Sequence, residues 1–381
     1  MSILCSKKIM FLTGTRADFG HQKPIIDKCI EQGYGVSLFI TGMHLDEKYG
    51  KTIKEIDLSD YNYSTFPNHV DDNWNKIESM ELMLSRTIDG FSSFVKGIKP
   101  DLIVIYADRF EALAGSIVGV LNNVLTIHME AGDSSGTIDD SMRHAISKLC
   151  HAHFVANEDS KKRLIKMGEM EQNIFNIGNP GIDVLFSKEL PSLNNSKKKY
   201  GIDFNEYSIF VFHPVTTEFD DLDRQINEVV NSILESKLNY IAVCPNNDMG
   251  SNKIFNGYDR LKNNENIKIF KSIDHYDFLT FLKNANFIIG NSSCGVIEAP
   301  CYGVPTVDIG SRQNNRTTND KIINSRCNKD DIIKAINKAK DYKIEKDMSF
   351  GDGHSSDNFL EIINKKLFWR IKKQKEFNLC I

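Results

Sequence analysis

The sequence lacks several features that would point to common classes of site. It has no long apolar run, no pair of cysteines in CxxC spacing, and neither a GxGxxG nor a Walker motif. A membrane-spanning helix needs roughly 20 consecutive apolar residues, so none is expected. The missing glycine motifs give no support for a dinucleotide site or a P-loop. The eight cysteines, at positions 5, 29, 150, 244, 294, 301, 327 and 380, are expected to be free thiols without a structural zinc site.

The chain also has no large excess of positive or negative charge. The formal net charge is −4, with 41% hydrophobic and 26% charged residues, a composition typical of soluble globular proteins. This balance argues against a nucleic-acid partner, and it means that an anionic ligand must meet local donors. The first residues carry only the short apolar run Ile9-Met10-Phe11-Leu12, which indicates a strand and not a signal peptide. We therefore expect a cytoplasmic protein that does not bind membranes.

Short apolar runs alternate with longer amphipathic stretches along the whole chain. This rhythm predicts α/β domains with doubly wound, parallel sheets of Rossmann-like type, and the 381 residues suffice for two of them. Strands are predicted over Lys8–Thr13, Gly35–Thr41, Asp101–Tyr106, Val124–His128, Ala152–Ala156, Tyr207–His213, Asn239–Pro245, Ile267–Lys271, Asn286–Gly290 and Pro305–Ile309. Helices are predicted over Ile77–Val95, Arg109–Leu121, Leu222–Ser236, His275–Asn284 and Asp330–Ala339.

The domain boundary is predicted in the segment Asn179–Asn205, which has two prolines, three successive lysines and no sustained apolar period. The predicted domains are residues 1–178 and 206–355, with a ligand cleft between them. Residues 356–381 are predicted to form a C-terminal helix that packs back on the body. A membrane-surface helix is the alternative for the basic tail around Trp369, but its short length favours packing.

Polar clusters follow several predicted strands, where parallel α/β sheets bind their ligands. The segment Gly14–Gly20 is a glycine-bounded turn that opens a helix, so its N–H groups and Arg16 are candidates for binding phosphate. Asp108 and Arg109 end the strand Asp101–Tyr106. They form either a salt-bridged helix start or an acid or base beside an anion.

The densest ionisable cluster spans residues 128–144. Thr137 and Asp140 predict a capping box, with Asp139 in the first turn, where the helix dipole favours its ionised form. Ion-paired capping explains Asp140 and His144, but it does not explain Glu130, which follows a buried-looking strand. Carboxylates in different environments are what acid–base chemistry requires, and Glu130 is the candidate for a raised pKa.

Polar turns also follow the strands of the second half. His213 ends one of these strands and Asn246 directly follows the next, and ordinary turn chemistry is the alternative for both. The segment Gly290–Pro300 is predicted to open a helix and to offer Ser292 and Ser293 to a diphosphate. Glu298 is a candidate acceptor for ribose hydroxyls, Arg312 is a candidate phosphate clamp, and Cys294 is expected to be a packing residue.

Six of these segments together resemble the hydrolysing UDP-N-acetylglucosamine 2-epimerases of bacterial sialic acid synthesis. The resemblance runs from Lys8 to about Arg316. The segments are Gly-Thr-Arg-Ala-Asp-Phe-Gly (14–20), Thr-Gly-Met-His (41–44), Gly-Thr-Ile-Asp-Asp-Ser-Met-Arg-His (136–144), His-Pro-Val-Thr-Thr-Glu (213–218), Pro-Asn-Asn-Asp (245–248) and Gly-Asn-Ser-Ser-Cys-Gly (290–295).

The resemblance implies the glycosyltransferase-B architecture, with no redox cofactor and no obligatory metal. It implies a UDP-sugar substrate and a homo-oligomer, either a dimer or a tetramer. By position, Asp108, Glu130 and Asp139 correspond to the catalytic carboxylates of the family. The substrate-binding positions are Arg16, Arg109, His213, Asn246, Ser292, Ser293, Glu298 and Arg312, to which we add Arg143, four residues after Asp139.

Two departures from the family pattern concern the sugar. Ala107 and Ala131 stand where the family usually has glycine, and Asp133 stands where it has glutamate. We expect the extra methyl groups to narrow the floor near the sugar. A hydrolysing epimerase acting on the 2,4-diacetamido-trideoxy sugar of legionaminic acid synthesis is therefore an alternative. The motifs are also compatible with a glycosyltransferase, a non-hydrolysing epimerase or a non-catalytic nucleotide-sugar sensor.

Overall fold

The computed structural model describes residues 7–59, 61–73, 75–77, 79–135, 138–187, 190–314, 316 and 320–376. They form two compact units. The first contains the described residues up to Ser134, together with Asp139–Phe186 and the described residues from Ser349 onward. The second contains Ser187–Met348, together with Ser135 and Ile138. No helix in the described part of the chain is long and apolar enough to cross a membrane.

The first unit is a seven-stranded parallel sheet in the order β3-β2-β1-β4-β5-β6-β7. Its strands are β1 (Lys8–Thr13), β2 (Gly35–Ile40), β3 (Asn62–Thr65), β4 (Leu102–Tyr106), β5 (Leu125–Met129), β6 (Ala152–Val155) and β7 (Ile174–Asn176). Its helices are α1 (Arg16–Glu31), α2 (Met80–Ile98), α3 (Phe110–Leu121), α4 (Ile138–Leu149), α5 (Glu158–Lys166), α6 (Pro180–Leu185) and α13 (Ser355–Ile363).

Strand β1 shows why this sheet is apolar on both faces. Its side chains alternate, so Ile9 and Phe11 join the core cluster that also contains α1 and α13 residues, while Met10 and Leu12 join a second cluster. Successive side chains of a strand point to opposite faces, and helices cover both faces of a parallel sheet. The continuous apolar run that predicted this strand is therefore the signature of two-sided burial.

The second unit is a six-stranded parallel sheet in the order β10-β9-β8-β11-β12-β13. Its strands are β8 (Ser208–Val211), β9 (Tyr240–Val243), β10 (Ile267–Phe270), β11 (Ile288–Gly290), β12 (Thr306–Ile309) and β13 (Ile323–Ser325). Its helices are α7 (Leu193–Tyr200), α8 (Leu222–Ser236), α9 (Ser251–Asp259), α10 (His275–Lys283), α11 (Glu298–Tyr302) and α12 (Lys329–Asp341).

Several parts of the fold differ from the sequence-based expectation, among them the edge strands, the linker and the tail. Strands β3, β7 and β13 were not predicted; each is a short strand at the edge of a sheet, where one side lacks a neighbour and the apolar pattern is weak. The predicted linker contains the short helices α6 and α7. In the tail, α13 ends at Ile363, and the described residues after it, up to 376, contain one 3-10 turn, whose Phe368 packs in the core of the first unit.

Candidate active site

Each sheet has one point where the strand order reverses direction. In the first unit β1 lies beside β4, and in the second β8 lies beside β11. The chain leaves these neighbouring strands in opposite directions, which opens a crevice at their carboxyl ends where doubly wound sheets bind ligands. The predicted site segments after Thr13, Tyr106, Val211 and Gly290 all begin at these two crevices.

Asp108 follows β4 through a backbone that is unusual for its sequence. Ala107 has a φ of 60°, in the left-handed region that residues with a Cβ rarely adopt. Its N–H donates to the carbonyl of Met129 over 3.1 Å, which continues the β4–β5 pairing past the end of the strand. The bend directs the Asp108 carboxylate toward Arg143, whose Nη2 donates to Asp108 Oδ2.

Glu130 lies at the end of the neighbouring strand β5 and also has a positive φ, 55°. Its Oε1 accepts a hydrogen bond from the side-chain amide of Asn179, which is itself buried. Arg143 Nη1 donates to the Glu130 backbone carbonyl over 2.6 Å and lies 3.9 Å from Glu130 Oε2. The two predicted catalytic carboxylates Asp108 and Glu130 therefore meet at one guanidinium.

Arg143 is the centre of this arrangement, with only 1% of its surface exposed. Burial opposes its charge, but the carboxylates of Asp108, Asp133, Glu130 and Asp139 outweigh burial and hold the pKa of Arg143 above its ordinary value. A buried guanidinium among several carboxylates keeps its charge and fixes their positions. It follows that Arg143 organises this site electrostatically.

Asp139 lies in the first turn of α4, as the sequence predicted. The predicted capping partner Thr137 lies outside the described residues, so the capping box stays a prediction. His144 Nε2 lies 3.7 Å from Asp140 Oδ2, so the two side chains are neighbours as predicted, although burial lowers the pKa of His144 and disfavours an ion pair. Helix α4 therefore contributes Asp139 near its beginning and Arg143 one turn later.

The turn after β1 is closed by the side chain of Asp18. Asp18 accepts the N–H groups of Gly14 and Thr15 over 3.0 and 3.1 Å, and also the hydroxyl of Thr13. These two backbone donors are engaged within the turn, so the phosphate-binding role predicted for the segment depends on Arg16 and stays a prediction. Burial raises the pKa of Asp18 to about 6 despite the hydrogen bonds from Thr13 and Gly14.

Two arginines of the first unit were predicted to contact the nucleotide. Arg16 is the first residue of α1, immediately after the turn closed by Asp18. Arg109 is the residue before α3, and its Nε donates to the carboxylate of Glu111 over 3.1 Å. Both arginines therefore stand at the crevice beside the ends of β1 and β4.

In the second unit, the ends of β8 and β11 are joined by an exchange of hydrogen bonds. The N–H of His213 donates to the side-chain oxygen of Asn291 over 2.7 Å, and the Asn291 amide donates back to the His213 carbonyl over 2.9 Å. The N–H of Asn246 donates to His213 Nδ1 over 3.1 Å. Since Nδ1 accepts, a neutral His213 carries its proton on Nε2.

The segment after β11 begins at a glycine that the structure requires. Gly290 has a φ of 137°, and an added Cβ would lie 1.8 Å from the carbonyl oxygen of Val211. Ser292 and Ser293 follow, but they lead into a 3-10 turn over Ser293–Gly295 and not into an α-helix. The predicted helix start at these serines is therefore wrong, because α11 begins only at Glu298.

Arg312 and Glu298 complete the second set of candidate residues. Arg312 Nη1 donates to the carbonyl of Asn291 over 3.3 Å, which holds the arginine beside the serine segment. Glu298 is buried at the first position of α11. Cys294 is also buried, and burial raises its pKa to about 12, so it is a neutral packing residue and not a nucleophile.

Comparisons with known proteins identify the family of this chain. The UDP-N-acetylglucosamine 2-epimerase family matches residues 29–364. This chain belongs to that family. A UDP-N-acetylglucosamine 2-epimerase of Neisseria meningitidis serogroup B is 41% identical over 97% of this chain and 98% of the relative. A hydrolysing UDP-N,N'-diacetylbacillosamine 2-epimerase of Legionella pneumophila is 33% identical over 94% of this chain and 95% of the relative.

Solved structures of this epimerase family share the fold. A crystal structure of UDP-GlcNAc 2-epimerase from Neisseria meningitidis, bound to UDP-GlcNAc, has a TM-score of 0.76 and 18% identity over 94% of this chain and all of that chain. The two parallel-sheet domains and this likeness confirm the glycosyltransferase-B architecture expected from the sequence.

The sequence analysis did not identify the polar side chains of this epimerase-family chain that position the candidate site residues through hydrogen bonds. Asn179 binds Glu130, Asn291 joins two strand ends, and Asp18 closes the turn after β1. Each is a polar side chain that is largely buried, and its partner is distant in sequence or on the backbone. The signal for Asn291 was its position directly after a predicted strand. Asn179 gave no comparable signal, since it lay in the predicted linker.

Proposed function

We propose that this protein is a hydrolysing UDP-N-acetylglucosamine 2-epimerase that releases UDP and free N-acetylmannosamine, the first step of sialic acid synthesis. The observation that carries the proposal is the convergence of Asp108 and Glu130 on the buried Arg143, with Asp139 on the same helix as that arginine. Acid–base chemistry at a sugar carbon requires several carboxylates with fixed positions. Transfer of a sugar to an acceptor has no need for such a cluster.

The proposed reaction has two steps. One carboxylate removes the C-2 proton while the bond from C-1 to the UDP oxygen breaks, which forms a C1–C2 double bond and releases UDP. Water then adds its hydroxyl to C-1, and a proton returns to C-2 from the opposite face. Asp108, Glu130 and Asp139 supply the base and the proton donors, and each must be held within hydrogen-bond reach of the sugar.

Departure of UDP supplies much of the driving force, because the C-2 proton is barely acidic. Donors and cations near the diphosphate stabilise the leaving group as its charge develops. We assign this role to Arg16 and Arg109 in the first unit. In the second unit we assign it to Arg312 with Ser292 and Ser293. We further place His213, Asn246 and Glu298 at the nucleoside end of the substrate, and Arg143 beside the sugar.

The decisive experiment is incubation with UDP-N-acetylglucosamine in deuterated water, followed by NMR. We expect equal amounts of UDP and free N-acetylmannosamine, with deuterium at C-2 of the sugar. Accumulation of UDP-N-acetylmannosamine would show a non-hydrolysing epimerase. Sugar transfer to an added acceptor without C-2 exchange would show a glycosyltransferase. Binding without any turnover would show a sensor.

A second candidate is hydrolysing epimerisation of a UDP-2,4-diacetamido-trideoxy sugar, since the Legionella pneumophila relative is named for such a substrate. One sequence argument for it is wrong: Ala131 is fully buried and packs with Val155 and Leu164, so its methyl does not narrow a sugar-binding surface. Ala107 and Asp133 remain as the changed groups, and the charge of Asp133 acts on Arg143. A difference of one methyl group discriminates by roughly 10–200-fold. We expect UDP-N-acetylglucosamine to have the higher kcat/KM, and a tenfold preference for the diacetamido sugar would reverse the assignment.

A further inference from the structure

Asp108 is held in place at two points, and only one of them is its own side chain. The first is the contact of its carboxylate with Arg143. The second lies one residue earlier, where the Ala107 carbonyl accepts a hydrogen bond from His128 Nε2 over 2.7 Å. The other ring nitrogen, Nδ1, lies 2.9 Å from the hydroxyl of Ser147.

The partners of His128 determine its protonation state and tautomer. A carbonyl oxygen can only accept, so Nε2 carries the proton and Nδ1 accepts from the Ser147 hydroxyl. His128 is fully buried, and burial lowers its pKa well below the ordinary value, against the effect of the Ala107 carbonyl. With both nitrogens engaged and the ring neutral, His128 has no proton to exchange with a substrate.

Ser147 and Arg143 lie four residues apart on α4, and therefore on the same face of the helix. Arg143 contacts the Asp108 side chain directly, and Ser147 reaches the preceding peptide through His128. Helix α4 thus holds the Asp108 segment by two separate connections. The same helix carries Asp139, so the connections also fix the position of one proposed catalytic carboxylate relative to another.

Ala107 makes the second connection necessary. Its φ of 60° is unfavourable for a residue with a Cβ, and without support it would relax toward a negative φ. Such a rotation would turn the following residue, Asp108, away from Arg143. The Ala107 N–H is held by Met129 and its carbonyl by His128, so both sides of this residue are tied to β5.

We propose that Ser147 and His128 are positioning residues, which together clamp the strained Ala107 peptide and so aim the Asp108 carboxylate. The inference rests on the proposed function for its kinetic readout. The tautomer of His128 is independent of that function. Neither residue is proposed to touch the substrate.

The kinetic test compares two substitutions of His128 in the wild-type protein, and then repeats one of them in a protein that carries Ala107→Gly. His128→Asn is too short to reach the Ala107 carbonyl, whereas His128→Gln places an amide N–H near the position of Nε2. We expect His128→Asn to lower kcat by about 10–100-fold with KM changed little, since small displacements of a catalytic group have effects of this size. His128→Gln should retain most of the activity, and neither variant should change the pKa values of the pH–rate profile.

The second background is Ala107→Gly, because glycine adopts a positive φ without strain. If His128 acts by clamping, His128→Asn lowers kcat several-fold less in the Ala107→Gly protein than in the wild type. An acid–base role would give the same loss in both backgrounds, because the two sites would then be independent. Equal losses, or disappearance of one limb of the pH–rate profile, would overturn the proposal.

Ser147→Ala provides a milder variant in case substitution of His128 prevents folding. We expect a smaller fall in kcat, again without a change in KM. The matched control is Ser116→Ala, which removes another fully buried helix hydroxyl of the same unit, one bonded to the Leu113 carbonyl. Equal kcat values for the two alanine variants would remove Ser147 from the clamp.

An independent measurement is ¹⁵N NMR of histidine-labelled protein. We expect the His128 ring to stay neutral with its proton on Nε2 between about pH 5 and 8, where ordinary histidines titrate. A titrating ring or a proton on Nδ1 would overturn the clamp even in a protein with no epimerase activity. Conversely, a neutral ring with its proton on Nε2, in a protein that does not turn over UDP-N-acetylglucosamine, would contradict the proposed function and leave the clamp intact.

Discussion

The two units share a sheet design and differ in the chemistry at their strand ends. In the first, the strand ends carry carboxylates that gather on a buried guanidinium, Arg143. In the second, most candidate groups are neutral amides, hydroxyls and an imidazole, such as Asn291 and His213, which bond to each other and to the backbone. One scaffold therefore carries a strongly charged cluster, to which we assign the proposed proton transfers, and a more neutral one, to which we assign the proposed nucleotide contacts. The chemistry is decided by side chains and not by the fold.

The strongest test of this contrast removes the carboxylates of the first unit. Asp108→Asn, Glu130→Gln and Asp139→Asn should each lower kcat by about 10²–10⁴-fold, because each removes an acid–base group. The affinity for UDP should stay close to that of the wild type, as measured by isothermal titration. Asp140→Asn is the control, since this neighbour of Asp139 pairs with His144. Near-normal turnover in any one of the three variants would exclude that residue from the chemistry.

The next largest effect is on the free energy of unfolding, and it tests whether Arg143 stabilises the carboxylate cluster of the first unit. Arg143→Met leaves Asp108 and Glu130 without their buried cation, which should lower the free energy of unfolding by about 3–5 kcal/mol. Urea denaturation followed by circular dichroism measures this change. The control is Arg224→Met, which removes a half-exposed arginine paired with Asp221 and should lower stability by less than about 1 kcal/mol. Similar losses in the two variants would contradict the central role of Arg143.

A smaller effect is expected in the second unit, on binding. Arg312→Ala should weaken UDP binding by roughly 1.5–3 kcal/mol, the range for hydrogen bonds to a charged group. Isothermal titration calorimetry with UDP measures the loss. Arg326→Ala removes a largely exposed arginine of the same unit, paired with Asp331, and should leave the affinity unchanged. If Arg312→Ala binds UDP as tightly as this control, Arg312 does not contact the diphosphate. The neutral groups of the second unit would then bind UDP without an arginine.

The smallest effect, taken per pH unit, is a slope of the free energy of unfolding against pH. Burial raises the pKa of Asp308 to about 7, although the nearby Arg312 acts in the opposite direction. A carboxyl whose pKa is raised by folding stabilises fully below its unfolded pKa of about 4, and this contribution is lost as pH rises through the folded value. Between about pH 4 and 7 the loss is at most about 1.4 kcal/mol per pH unit for one group.

Asp308→Asn should remove this slope, so that the variant gains stability relative to the wild type as the pH increases. Thermal denaturation of both proteins at several pH values measures the difference. Asp330→Asn, at an exposed position in the first turn of α12, should leave the slope as it is. Parallel stability curves for Asp308→Asn and the wild type would show that Asp308 does not titrate in this range.

Some features of the fold were predictable because their cause is local. The run Lys8–Thr13 predicted β1 with its observed bounds, and Leu222–Ser236 predicted α8 with its observed bounds. Both are long, apolar or amphipathic patterns in the middle of a unit. The edge strand β3 was missed, since its residues are largely exposed and lack the two-sided apolar pattern. Helix α7, in the predicted linker, was also missed. It contains three successive lysines and buries only Ser196, so it has no apolar stripe that would predict a helix.

The sequence by itself determined the α/β class, most of the central strands and the order of the family's motifs, because periodicity and turn chemistry act over a few residues. It also placed the candidate carboxylates after the correct strands. Only the tertiary structure decided that Arg143 joins Asp108, 35 residues earlier, to the carbonyl of Glu130, 13 residues earlier. It alone showed that Asp18 occupies two backbone donors and that Ala131 faces a core. Such contacts depend on strand order and on the direction of each side chain, and no local pattern of residues carries that information.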